Sequence, residues 1–99
     1  MQTHPEGHFE FRWDDLRLFL ATARAGTFSG AARHLGVEVS TVSRRITALE
    51  EALGARLFDR TPDGLKLTVV GERLRPSAER TEVAALEAAR VIDSVERRV

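Results

Sequence analysis

Cysteine is absent from the 99 residues, so the chain can form no disulfide and no thiolate-ligated metal site. That absence permits a reducing compartment, and a cytoplasmic location is expected. Tyrosine is absent as well. Three histidines are present, two of them within the first eight residues, which leaves no nucleophile–base pair and makes an enzyme the weakest functional class. His34, beside Arg33, reads as a surface or phosphate-facing residue. His4 and His8 are four apart, but Pro5 and Gly7 oppose the helix that a metal clasp there would need, so no metal and no cofactor is expected. No apolar run approaches the ~18 residues of a membrane helix. The N-terminal MQTHPEGHFEF has neither the basic start nor the apolar stretch of a signal peptide, and residues 1–12 read as a flexible leader. An excess of either charge is missing too: 15 Lys+Arg balance 15 Asp+Glu. What remains, at 42% hydrophobic and 30% charged, is the composition of one soluble globular domain.

The charges are unevenly distributed. Residues 1–23 carry net −2, residues 24–48 net +3, residues 49–55 net −2, residues 56–75 net +2 and residues 76–99 net −1. Two short basic segments thus lie in an otherwise acidic chain. Fourteen of the fifteen cations are arginine, whose planar fork suits phosphates and base edges.

Periodicity places the elements. A first helix is expected from an Asp14 cap, with Leu16, Phe19, Leu20 and Ala23 on one face and Gly26 as its stop. Trp13 would precede that cap and staple against Leu18. A short second helix follows a Ser29 cap, buries Ala31, Ala32 and Leu35, and ends at Gly36. A third helix carries Val42, Ile46, Leu49 and Leu53 as one narrow apolar stripe and ends at Gly54. The opposite face of its first half presents Ser40, Arg44 and Thr47, flanked by Thr41 and Ser43; its second half carries Glu51. Leu57-Phe58 and Leu65-Lys66-Leu67 read as two strands around the turn Thr61-Pro62-Asp63-Gly64. Thr68 then caps a long helix to about Arg98. Along it Leu74, Ala78, Thr81, Ala85, Ala88, Ile92, Val95 and Val99 alternate by four and three, a heptad seam that needs a partner helix. Pro76 predicts a bend.

Ala32, Gly36-Val37, Val42 and Ile46 form a helix-turn-helix pattern, in which Val37, Val42 and Ile46 seat the second helix on the first. The side chains left over are donors: Arg44 suits the two acceptors of guanine, and threonine methyls suit thymine. Ser29 and Arg33 suit phosphates. With the hairpin and the long seam, the expected fold is mostly α: a winged helix-turn-helix of three helices and a two-stranded β-hairpin wing over residues 13–67, followed by a linker and dimerisation helix over residues 68–99.

The runs DLRLFLATARAGTFSGAARHLG, VSRRITALEEALGARLFDR and LTVVGERLRP, spread from Phe11 to Pro76, resemble the N-terminal domain of LysR-type transcriptional regulators. The resemblance implies sequence-specific binding of double-stranded DNA as a dimer on an inverted repeat. It implies a recognition helix over 39–53, a wing over 57–67 and dimerisation through the linker helix. The candidate DNA contacts are Ser29, Arg33, Val39, Ser40, Thr41, Ser43, Arg44, Thr47, Arg60, Thr61 and Lys66. The candidate dimer residues are Leu74, Ala78, Ala85, Ala88, Ile92 and Val95. Two places depart from the family's habit: Glu38-Val39 replaces a small polar pair whose glutamine often reads a base, and Asp63 replaces a wing-tip Arg or Lys. The family also carries a larger C-terminal domain that senses a small molecule. This sequence holds none and reads either as a fragment ending at the linker helix or as a stand-alone DNA-binding protein. A dimeric winged-helix module that binds protein rather than DNA is the competing reading, to which zero net charge, Glu38 and Asp63 lend weight.

Overall fold

The computed structural model describes residues 12–98. The elements are α1 (Trp13–Ala25), α2 (Phe28–Leu35), α3 (Val39–Leu53), β1 (Phe58–Thr61), β2 (Gly64–Leu67) and α4 (Val69–Arg98). This is the winged helix-turn-helix with a long C-terminal helix. The paired histidines at positions 4 and 8 and seam residue Val99 lie outside the described residues.

Helix α1 is the hub and touches α2, α3, α4 and β2. Its Phe19 is wholly buried and meets Phe58 of the hairpin at a ring-centroid distance of 5.5 Å. Around that pair pack Leu16, Leu20, Ala31, Ala32, Val42, Ile46, Leu49 and Leu57. Ala31 and Ala32 are small enough to let α1, α2 and α3 approach closely. Thr22, the one buried hydroxyl among the described residues, donates to the Leu18 carbonyl at 2.8 Å, and no buried polar side chain among them is left without a partner.

Two helix starts differ from the expectation. Helix α1 begins at Trp13 with Arg12 as its cap residue, and the carboxylate of Asp15 accepts the Arg12 N–H at 3.3 Å. Trp13 therefore lies within the helix and is no staple, and Asp14 is free to pair with Arg17 and Arg45. Helix α2 is capped by Thr27, whose hydroxyl oxygen accepts the Gly30 N–H at 2.9 Å, rather than by Ser29. Threonine and serine are near-equal caps, and the tight turn at Gly26 decides in favour of the first. Val37 also departs: it is 43% exposed, and α3 is seated by Val42, Ile46 and Leu49.

The strands sit one residue later than Leu57 and one residue earlier than Leu65. They pair antiparallel with Thr61 opposite Gly64, leaving Pro62-Asp63 as a two-residue turn. The hairpin is tied to the helices at both ends. The Leu65 N–H donates to the Gly26 carbonyl at 2.9 Å, and a Cβ on Gly64 would stand 2.7 Å from that same oxygen, so only glycine permits the dock. The Thr68 N–H donates to the Leu57 carbonyl at 3.0 Å. Thr68 also caps α4, accepting the Gly71 N–H at 3.1 Å.

Helix α4 runs as one element through Pro76. The first part of its heptad seam serves the monomer: Ala78 is wholly buried and Leu74 packs on the same core, because the domain itself covers the first turns of the helix. Ala78 thus has no exposed surface of its own, while Leu74 stays half-buried. Further along, Ile92 and Val95 are 60% and 59% exposed, and Val83, Leu86 and Val91 are exposed as well. Arg24 of α1 holds α4 against the domain through paired hydrogen bonds of 2.9 and 2.8 Å to Glu82.

Candidate nucleic-acid interface

The apolar stripe of α3 faces the core, so its opposite side faces out. Ser40, Arg44 and Thr47 are exposed there, with Thr41 and Ser43 half-exposed at the margins. The Ser43 hydroxyl reaches the Ser40 carbonyl at 3.5 Å, too far to hold it firmly. Among the described residues Arg44 has neither an ion-pair nor a hydrogen-bond partner within the chain. The same holds for Arg33 at the exposed end of α2 and for Lys66 on β2.

Other cations on these elements are spent. Arg45 pairs with Asp14 at 3.2 Å and Asp15 at 3.6 Å, linking α3 to the first turn of α1. Arg24 is bound to Glu82, and its guanidinium is held above its ordinary pKa first by those hydrogen bonds. Glu82 is correspondingly held below its ordinary value, chiefly by the hydrogen bonds from Arg24. Arg56 donates to the Phe58 carbonyl at 3.0 Å and lies 3.6 Å from Glu50. The net +3 of residues 24–48 thus resolves into two unpaired guanidiniums, Arg33 and Arg44, on the outward face.

The wing closes the site on one side. Ser29, Val39, Arg60 and Thr61 line one open groove of about 470 Å³, between the starts of α2 and α3 and the hairpin. Thr47, Glu50, Arg56 and Arg60 line a second of about 520 Å³, along the outer flank of α3. Arg60 borders both, its guanidinium carbon 5.5 Å from the centre of the Phe28 ring. The Thr61 hydroxyl is committed to the turn: it donates to the Gly64 carbonyl at 2.8 Å and accepts the Asp63 N–H at 3.2 Å. Both bonds lie within the turn and hold its shape. Asp63 and Glu38 are both exposed. Glu38 caps α3 with its backbone carbonyl alone, its carboxylate making no cap hydrogen bond.

Of the seam residues, Ala85 lines a third groove of about 600 Å³ with Trp13, His34, Glu82 and Leu86, while Ala88, Ile92 and Val95 are exposed beyond it. Among the described residues no cluster of three or more His, Asp or Glu side chains could hold a metal, and no helix is long and apolar enough to cross a membrane.

Sequence reasoning missed Arg45 and Glu50. The signal was angular: at 100° per residue they sit roughly 70° to either side of the α3 stripe, where side chains reach neighbouring elements rather than solvent. Glu50 uses that position to accept the Leu57 N–H at 2.8 Å and the Phe58 N–H at 3.3 Å, pinning the wing to the end of α3. Phe28 and Glu82 were missed as well, since their partners are distant in sequence.

Known proteins share this arrangement. A family model described as bacterial regulatory helix-turn-helix protein, lysR family, matches residues 13–72. The HTH-type transcriptional regulator YofA of Bacillus subtilis is 46% identical over 65 residues, 66% of this chain and 23% of its own length. ClcR of Pseudomonas putida, another HTH-type transcriptional regulator, is 42% identical over 71 residues, 72% of this chain and 24% of its own. The chain thus spans about a quarter of the length of these relatives. Among solved structures, the complex of the CbnR DNA-binding domain with DNA superposes with a TM-score of 0.73 at 31% identity, covering 86% of this chain and 99% of that one. The BenM DNA-binding domain bound to a catB site gives 0.79 at 26%, covering 86% and 96%. Oxidized OxyR of Corynebacterium glutamicum gives 0.80 at 29%, covering 86% and 28%. With the family model spanning well over half of its residues, on the same helices and wing described above, the chain belongs to the lysR family of bacterial regulatory helix-turn-helix proteins.

Proposed function

We propose that the chain binds double-stranded DNA sequence-specifically, as a homodimer, and thereby regulates transcription in the bacterial cytoplasm. The observation that carries this reading is the division of labour among its arginines. Arg24 and Arg45 are consumed by ion pairs, while Arg44, unpaired among the described residues, stands with Ser40 and Thr47 on the outward face of α3. Two CbnR and BenM structures of the same fold are complexes with DNA. Helix α3 would enter the major groove, Arg44 contacting guanine and Val39 an apolar base edge. Arg33, Arg60 and Lys66 would neutralise phosphates, helped by the Ser29 hydroxyl. The exposed Ala88, Ile92 and Val95 would join two copies through α4, which sets an inverted repeat as the target. No catalytic role is proposed, as the relatives are named as regulators. A small-molecule effector belongs to this reading only within a longer protein.

Selection of bound duplexes from a random pool, followed by a salt series on the enriched site, tests it. Three phosphate-contacting cations in each of two half-sites predict a slope of log K against log salt of about −5. An inverted repeat with such a slope supports the reading. No enrichment and no salt dependence would turn it toward the protein-binding module.

A further inference from the structure

We propose that Phe28 is a positioning residue for Arg60, its ring holding the wing guanidinium in place for a backbone phosphate. This inference rests on the DNA-binding reading above and assigns a role within it. Arg60 stands on β1 opposite Leu65, its guanidinium carbon 5.5 Å from the Phe28 ring centre. The contact engages the cation through its charge and consumes no hydrogen-bond donor, so the N–H groups remain free for phosphate oxygens. Among the described residues Arg60 has no other partner.

Both sides of the contact are fixed. Phe28 is the first residue of α2, directly after the Thr27 cap, and packs half-buried against the core. The wing is docked through the Leu65 N–H on the Gly26 carbonyl. Arg60 is therefore held on the ridge between the two grooves that it borders, one at the starts of α2 and α3, the other along the flank of α3. A long side chain that must be ordered on binding costs rotamer entropy at that moment, and one already ordered costs less. The phosphate is favoured over a base because Arg60 stands on the wing, across the open grooves from α3, rather than on the helix that would enter the major groove.

The test is a binding cycle on the selected duplex and on a scrambled one. Phe28→Leu keeps apolar bulk but removes the ring's charge attraction, and should weaken both duplexes about two- to five-fold per bound copy of the domain. Arg60→Ala should weaken both further and flatten the salt slope by about one unit per half-site. In the Arg60→Ala background, Phe28→Leu should then have no further effect, and Phe28→Tyr should bind like the parent. Arg60→Lys leaves the core untouched; it should keep the salt slope while losing affinity. In the free protein the ring should shift the Arg60 side-chain proton resonances upfield, and Phe28→Leu should abolish that shift. Equal losses from Phe28→Leu with and without Arg60 would overturn the proposal. A parent that shows the upfield shift but binds no duplex would sink the DNA-binding reading while leaving the ring contact standing; a parent that binds duplex without the shift would sink the positioning role alone.

Discussion

Removing the Glu50 carboxylate should loosen the wing. Its Oε2 accepts the N–H groups of Leu57 and Phe58 at 2.8 and 3.3 Å, and those two residues are 0% and 2% exposed. Stranding a buried N–H costs about 1–3 kcal/mol. The 2.8 Å bond carries most of the effect, and the longer one adds a fraction. Glu50 borders the open groove beside α3, so Glu50→Ala would admit water to part of the exposed backbone. That keeps the total near the middle of that range, at about 2 kcal/mol. The lost pairing with Arg56, which is itself 63% exposed, adds little. For a domain of this size about 2 kcal/mol lowers Tm by roughly 8–16 °C. Glu50→Gln keeps an acceptor oxygen but loses its charge, and should lower Tm by about half as much. Circular dichroism melts of parent, Glu50→Ala and Glu50→Gln at one pH and salt concentration measure this. A Glu50→Ala melt within about 3 °C of the parent would refute the reasoning, since it would mean that the hairpin holds without its anchor.

Arg44→Ala should cost roughly 1–3 kcal/mol on the selected site and relax preference at one base pair per half-site, whereas Arg33→Ala should weaken all duplexes alike and flatten the salt slope by about one unit per half-site. Equal losses for Arg44→Ala on selected and scrambled duplexes would reduce it to a phosphate contact. Ile92→Asp puts a charge on the exposed stretch of the α4 seam and should shift sedimentation toward monomer; an unchanged dimer would remove Ile92 from the interface. The Arg24–Glu82 tether sets a pH dependence. Because Glu82 is held below its ordinary carboxyl value in the folded chain, first by hydrogen bonds from Arg24, its contribution is complete above that ordinary value and fades as pH falls through the depressed one. The stability difference between parent and Glu82→Gln in urea melts should therefore be constant from about pH 8 to pH 5 and shrink below about pH 4.5; a difference that grows on acidification would contradict the sign.

Residues 13–72 were readable as a helix-turn-helix with a wing because each element there is locally consistent. Apolar residues recur at helical spacing, glycines stand where the backbone turns left-handed, as at Gly26, Gly36 and Gly54, and a Thr-Pro-Asp-Gly turn separates two short strands. Such signals lie within a few residues of one another, so the sequence alone carries them. The cap residues were less legible: the structure puts Arg12 rather than Asp14 at the cap of α1, and Thr27 rather than Ser29 at the cap of α2. What only the tertiary structure decided was the use of each charge. Arg24, Arg44, Arg45 and Arg60 are one residue type, yet their partners are Glu82, none within the described chain, Asp14 with Asp15, and the ring of Phe28. The seam of α4 divides in the same way: Ala78 is buried and Ile92 exposed at equivalent heptad spacing, because the domain lies against only the N-terminal part of that helix. Periodicity reports which way a side chain faces; what stands opposite it is settled by residues tens of positions away, brought there by packing.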